Sequence, residues 1–251
     1  MKVAFHERYK EVYAADPAAA YGRMDCILRE LEGKFDFLEP SPAGEEDLLL
    51  VHLPGHVEAI KRRGLLFEIA LLAVGGALLS AELALRGEAA FGLLRPPGHH
   101  ASPGHSWGFC WFNNVAVAVE KLRREGRIKR AVVVDFDLHF GDGTANIFSG
   151  VPEVVYHHVE GFDRSSFLDD LREFLESRED CDLVAVSAGF DRHEKDWGGL
   201  LTTEDYRTIG GILRDYAQRV CGGRIFCVLE GGYNHDVLGL NVRAFLEGLA
   251  G

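Results

Sequence analysis

The sequence predicts an α/β fold, a central parallel β-sheet flanked by helices on both faces. Three observations carry this. Short apolar runs rich in β-branched residues alternate with longer helix-like segments, the pattern of a parallel sheet covered by helices. The run Ala131-Val132-Val133-Val134 shows no apolar–polar alternation, so neither of its faces is expected to meet water. Polar residues gather just after four of the runs, where open parallel sheets place their active sites. The 251 residues suffice for one large domain, residues 1–251, and are too few for two comfortable ones.

In chain order, Lys2 to Phe5 reads as the first strand. A helix is expected from Asp16-Pro17, with proline tolerated in its first turn, to about Glu32, ended by Gly33. Asp47 to Val51 reads as a short strand. Leu53 to Arg63 and Leu65 to Arg86 read as helices. The second is apolar on most sides and so buried, and Gly75-Gly76 in its middle marks close packing or a break. Ala89 to Leu94 is a strand, Arg95 to Cys110 a loop rich in Pro, Gly and His, and Trp111 to Glu125 a helix ended near Gly126. After the strand at Ala131 come a short helix (Thr144 to Phe148), a strand (Glu153 to His157), a loop (Glu160 to Ser165) and a helix (Phe167 to Ser177). Then follow a strand (Leu183 to Ser187), a loop (Ala188 to Leu201) and a helix from Thr203 to Val220 capped by Thr202 or Thr203. A strand at Arg224 to Leu229 and a helix at His235 to Leu249 end the chain.

The net charge of −12 disfavours nucleic-acid phosphates and anionic lipid as direct partners and is compatible with a cationic substrate. The five cysteines, Cys26, Cys110, Cys181, Cys221 and Cys227, are odd in number and scattered, unlike a disulfide framework or a cysteine zinc site. The N-terminus has no signal-peptide core. The longest uncharged apolar stretch of the N-terminal half, between Glu68 and Glu82, is shorter than the roughly 20 residues a membrane span needs. The expected location is the cytoplasm.

The stretch Asp135-Phe136-Asp137-Leu138-His139 carries the chemistry. Residues two apart on an extended chain point the same way, so Asp135, Asp137 and His139 project together from the strand's carboxyl end. Desolvating them is costly without compensation, and a divalent metal is the simplest one. Asp137, His139 and Asp191 can supply three ligands, the usual number at a catalytic zinc, though iron(II) or manganese would accept the same donors. Such a metal lowers the pKa of a bound water towards about 7. His99 and His100 suit proton transfer, Asp135 and Asp142 can each fix one of those imidazoles, and Tyr233 can donate to a developing oxyanion. Each group alone has a plainer reading. The His pair could lie in a surface loop, Asp191 in a turn, Tyr233 at the core rim, and the acids at a solvated strand end. His157 and His158 are rival ligands. His6, His52, His56, His105, His193 and His235 read as structural or exposed. What favours a metal-assisted amide hydrolase is that four strand-end loops carry such groups at equivalent places.

Longer motifs carry a resemblance. Arg95-Pro96-Pro97-Gly98-His99-His100-Ala101 with Gly108-Phe109-Cys110-Trp111-Phe112-Asn113-Asn114, then Asp135 to Thr144, Ser187-Ala188-Gly189-Phe190-Asp191 and Leu229-Glu230-Gly231-Gly232-Tyr233 resemble the zinc-dependent histone deacetylases, particularly the class II branch and its prokaryotic relatives. The resemblance implies the arginase/deacetylase fold in one domain. It implies zinc on Asp137, His139 and Asp191, while the donor set itself also allows Fe2+. His100 with Asp142 becomes general base and then acid, and His99 with Asp135 its electrostatic partner. Tyr233 polarises the acetyl carbonyl, Phe109 lines an acyl-lysine tunnel, and Gly108 offers its carbonyl to the substrate amide. A structural monovalent cation, usually potassium, is implied near the metal strand.

The chain departs from the pattern in several places. Phe140 replaces a usual second histidine. Tyr156 stands near the position that usually offers a serine hydroxyl to the potassium. The usual Pro-Gly-Thr-Gly loop after His158 is missing, leaving Gly161-Phe162 as a second tunnel wall and an open rim that another subunit could complete. Asp196-Trp197-Gly198-Gly199 has no glutamate where polyamine-selective members place one. The implied function is a zinc-dependent deacetylase acting on acetylated lysine side chains or similar amines. An acetylpolyamine or other small-amide deacetylase is the alternative within the enzymes, and an acyl-binding regulatory protein is the alternative outside them. A dinuclear manganese ureohydrolase would need more ligating carboxylates.

Overall fold

Seven strands form one sheet in a computed structural model that describes residues 1–251. They are β1 (Lys2–Ala4), β2 (Asp36–Leu38), β3 (Ala90–Gly92), β4 (Ala131–Asp135), β5 (Val154–His158), β6 (Leu183–Ala188) and β7 (Ile225–Leu229). Their spatial order is β2-β1-β3-β7-β6-β4-β5, and every pairing is parallel. β4, β6 and β7 are buried along their whole length, which accounts for sequences that are apolar except for Asp135 and Ser187 near their carboxyl ends. β4 lies one strand in from the edge, with the half-buried β5 outside it. The register sets Asp135 beside Ser187 and His158, and Ser187 beside Val228. The segments that leave these strands therefore emerge side by side.

The helices that flank the sheet are α1 (Arg23–Leu31), α2 (Glu45–Leu48), α3 (Pro54–Lys61), α4 (Leu65–Leu85), α5 (Asn114–Arg124), α6 (Asp142–Phe148), α7 (Arg164–Glu176), α8 (Thr203–Cys221) and α9 (His235–Ala250). α4 packs across β1, β3 and β7 with α5 beside it, while α8 and α9 pack together and α9 against α1. By length and composition α4 could cross a membrane, but most of it is buried in this fold as a core helix. It runs unbroken through Gly75-Gly76. A Cβ on Gly75 would collide with the Ser41 carbonyl, and one on Gly76 would press on the Tyr9 hydroxyl. The glycine pair thus marks close packing.

Several expected boundaries shift. Asp47 to Val51 is not a strand. Asp47 and Leu48 end the one-turn α2, where Asp47 accepts the Gly44 N–H at 3.0 Å and pairs with Lys121 at 2.6 Å. The apolar residues there cover α3 and α4 instead of joining the sheet. The strand of this region is β2, a three-residue edge strand too short to show a pattern. The helix expected from Asp16 is interrupted. Asp16 caps one 3-10 turn, Pro17–Ala19, and Gly22 at φ 81° turns the chain before α1 begins. α5 begins later than expected because the Asn113 side chain caps it, accepting the Ala116 N–H at 3.0 Å. α6 begins earlier, at Asp142. α7 also begins earlier, at Arg164, capped by Asp163 and Ser166.

Gly75→Ala is predicted to destabilise the protein by about 1–3 kcal/mol, since its methyl meets backbone that cannot rotate away. Gly55→Ala, in α3 with open space around the added carbon, is predicted to be neutral or mildly stabilising. Thermal unfolding of the two variants checks both.

Candidate active site

The ends of β4 and β6 bring Asp137, His139 and Asp191 together, with one potential ligand atom of each lying within 4.8 Å of the others. Both carboxylates are buried. Backbone donors hold them in place. Asp137 accepts the N–H groups of His139 (2.9 Å) and Gly231 (2.8 Å), and Asp191 accepts that of Leu138 (3.0 Å). His139 Nδ1 lies 3.2 Å from both Asp137 Oδ1 and Asp191 Oδ2. One ring nitrogen carries one proton and cannot satisfy both, and Asp191 Oδ2 is left without a hydrogen bond. Glycine is required around this cluster. A Cβ on Gly189 would strike Asp137, and one on Gly231 would strike the Asp137 and Asp191 carboxylates.

The electrostatics show the same shortage of positive charge. Burial pushes Asp191 up to about 6, with the Asp137 charge adding to it. Burial also works to raise Asp137, but His99 and the donors from His139 and Gly231 outweigh it and hold it below the usual carboxylate range. His139 rises to about 9 through its contacts with Asp137 and Asp191. An orphaned buried oxygen, two carboxylates and one imidazole fit a divalent cation. The rival ligands are elsewhere. His157 pairs with Asp170 at 2.8 Å and stacks on Phe174, and His158 faces Arg192.

His99 and His100 stand on the loop after β3. The His99 and Gly98 N–H groups both donate to Glu230, at 3.3 and 2.7 Å. Each imidazole uses Nδ1 on a carboxylate, His99 on Asp135 at 3.0 Å and His100 on Asp142 at 2.6 Å, which leaves Nε2 for the cleft. Burial opposes a charge on His99, yet Asp137 and Asp135 raise it well above its ordinary value. Burial, with His99 beside it, pushes His100 down to about 4. A dication on Asp137 would counter the first of these shifts. Burial also raises Glu230 to about 7.

Tyr233 completes the cleft. Its N–H and that of Asn234 donate to Asp196 at 2.8 Å each, and its ring stacks on Trp197 at 4.1 Å. Phe109, at φ 66°, packs edge-on to Tyr233 at 5.9 Å. Gly108 (φ 58°) lies over the His100 ring, where a Cβ would collide with the imidazole. The cleft of about 120 Å³ is lined by His99, His100, His139, Tyr233, Gly108 and Phe109 together with Trp107 and Trp197. Phe162 is not in it. That side chain is fully exposed on a separate groove with Phe140 and His158, because only five residues join β5 to α7.

A family model described as the histone deacetylase domain matches residues 17–168 and 160–249. The chain belongs to the histone deacetylase family. A probable deacetylase of Methanothermobacter thermautotrophicus is 34% identical, over 92% of this chain and 85% of that protein. The histone deacetylase-like amidohydrolase of Pseudomonas aeruginosa is 29% identical over 88% of this chain and 72% of its own. The human polyamine deacetylase HDAC10 is 29% identical over 89% of this chain and 42% of its own. The HD domain of HDA15 superposes in fold with a TM-score of 0.85, covering 100% of this chain and 91% of its own at 24% identity. Deacetylase activity of the histone deacetylase kind is therefore supported. The alignment with the first relative runs over 286 positions, more than this chain contains, so this member lacks segments the relative has.

Several further residues around the site carry no signal in the sequence. Trp107 lies tilted against the His100 ring at 4.0 Å and donates Nε1–H to Asp142 at 2.8 Å, touching both members of the dyad. Arg23, wholly buried, donates to the carbonyls of Gly232 (2.9 Å) and Glu230 (2.6 Å), fixing the turn that carries Tyr233. His52 joins the loop to the body. Its Nδ1 meets the Ser102 carbonyl at 3.0 Å and its Nε2 accepts the Asn113 N–H at 3.0 Å, which defines the neutral tautomer. No local motif announces these three, since each acts on residues far along the chain.

Burial, with His56 nearby, pushes His52 down to about 4. Its folded value lies below the unfolded one. Between pH 6.5 and about 4 the unfolded chain therefore binds the extra proton, and stability falls as pH falls through that window. The contribution is on the order of 3 kcal/mol when the window is crossed. His52→Gln is predicted to flatten the pH dependence of the melting temperature between pH 6.5 and 4. An unchanged slope would count against the assignment.

Proposed function

We propose that this histone deacetylase family member removes acetyl or other short acyl groups from lysine side chains or similar amines, with Zn2+ as its metal. The observation that carries the reading is the convergence in one small cleft of the Asp137–His139–Asp191 group, the His100–Asp142 pair and Tyr233. A divalent cation held by the three ligands would polarise the amide carbonyl and activate a water at neutral pH.

The chain's own groups divide the remaining tasks. Asp142 accepts Nδ1–H of His100, so Nε2 is the atom that takes a proton from the attacking water and passes it to the leaving amine. Trp107 lies over His100 and donates to Asp142, which holds that pair in place. His99, held by Asp135, places a second donor beside the first. Burial raises the Tyr233 hydroxyl above its ordinary value, which keeps it a neutral donor to the carbonyl oxygen as charge builds there. Phe109 offers an apolar wall to the acyl-lysine stem, and the Gly108 carbonyl an acceptor to the substrate N–H. A lysine-type substrate is favoured over a polyamine because Asp196-Trp197-Gly198-Gly199 offers no glutamate for a distal ammonium, and Asp196 itself points one oxygen at the Tyr233 and Asn234 N–H groups. Residues 1–251 act as one catalytic domain in this reading. A reducing cytoplasm suits its five free, buried cysteines.

The test is hydrolysis of a fluorogenic acetyl-lysine peptide, with N-acetylputrescine in parallel, by the zinc-reconstituted protein. Tyr233→Phe is expected to lower kcat by about 10²–10³ through loss of one oxyanion donor. Turnover unaffected by Tyr233→Phe, or confined to the polyamine, would overturn the corresponding part of the reading.

A further inference from the structure

The resemblance places a monovalent cation beside the metal strand, and the residues of this chain do not fit one. We infer that Arg192 and Tyr156 occupy the place of that ion, so that a guanidinium belonging to the chain holds and neutralises the end of β4 and no potassium binds there.

Arg192 directly follows Asp191, and its side chain turns inward, 8% exposed. Nε–H donates to the Asp137 carbonyl at 3.1 Å. Nη2–H donates to the Val159 carbonyl at 3.0 Å and also faces His158 Nε2 at 3.1 Å. The guanidinium lies 4.9 Å from the Phe167 ring centroid. This one side chain thus links the segments leaving β4 and β5, using backbone carbonyls as acceptors in the way an alkali cation uses them as ligands. Its charge sits near Asp137, Asp191 and Asp135. An alkali ion brought to the Asp137 carbonyl would have to displace Nε–H and stand against a buried like charge.

Tyr156 closes the other approach. Its hydroxyl donates to Asp135 Oδ2 at 3.0 Å and accepts the Gly141 N–H at 2.9 Å, and its ring packs edge-on to Phe140 at 5.7 Å. Asp135 Oδ2 also takes His99 Nδ1, Oδ1 takes the Asp137 N–H at 3.1 Å, and the backbone carbonyl takes the Val159 N–H at 2.8 Å. Every oxygen of Asp135 thus already accepts at least one donor from the chain, and Oδ2 accepts two. Neither Arg192 nor Tyr156 lines the cleft, so both are positioning residues.

The experiment is thermal unfolding of the full chain, zinc-loaded and metal-free, at constant ionic strength as choline chloride is replaced by KCl. The expected result is a melting temperature that does not respond to the exchange. An ion bound at about 100 times its Kd would raise it by about 5 °C or more. Arg192→Ala is expected to melt several degrees lower, and Arg192→Ala with Tyr156→Ser, which vacates both places, to gain a rise in KCl that choline does not give. A K+-specific rise in the wild type overturns the inference whether or not the variants fold. So does an Arg192→Ala protein that melts with the wild type. Because unfolding is the readout, the result does not depend on which amide is hydrolysed.

Discussion

Four carboxylates, those of Asp135, Asp137, Asp191 and Glu230, are buried at the carboxyl ends of β4, β6 and β7. Leaving such groups uncompensated in an interior costs several kcal/mol each. The compensation takes three forms. Backbone N–H groups of Leu138, His139, Gly231, Gly98 and His99 point at the carboxylates. Arg192 supplies positive charge from within the chain, and His99 meets Asp135 through Nδ1. The Asp137–Asp191 pair, with an oxygen still orphaned, fits a dication. The glycines at 189 and 231 follow from this constraint, because the carboxylates sit where side chains would otherwise be.

The same constraint links fold to chemistry. The level register of β4, β6 and β7 sets the ligand loops side by side, and Glu230 reaches from the end of β7 to Gly98, His99 and Ser187. The imidazole loop is thereby tied to the sheet that carries the ligands. Trp107 and Trp197 lie on the two catalytic candidates, one tilted against His100 and the other stacked on Tyr233. Both rings are half exposed, so the mouth of the cleft is aromatic on both sides. The short connection from β5 to α7 leaves that mouth without the second tunnel wall that Gly161-Phe162 was expected to provide.

What could be read from the sequence was what neighbouring residues decide. The unbroken apolar runs of β4, β6 and β7 report burial on both faces, and the alternation Asp135, Asp137, His139 reports a shared direction at a strand end. Edge strand β2 was not readable, since three residues paired on one side carry no period. The segment from Asp47 to Val51 misled for the opposite reason. Its apolar run packs on helices, and an apolar run does not state what it packs against. Arg23, His52, Trp107 and Arg192 share a further difficulty. Each is an ordinary residue whose meaning comes from a partner brought near by the fold, Gly232 for Arg23 and Val159 for Arg192.

The central claim is that the Asp137–His139–Asp191 group requires a divalent cation. Equilibrium dialysis of the metal-free chain against Zn2+, with metal content read by mass spectrometry, tests it most directly when run on the wild type and on Asp191→Asn. The account predicts one ion per wild-type chain and an affinity lowered by at least about 10–100-fold in the variant. A wild type that retains no ion, or an Asp191→Asn protein that binds as tightly, would contradict it.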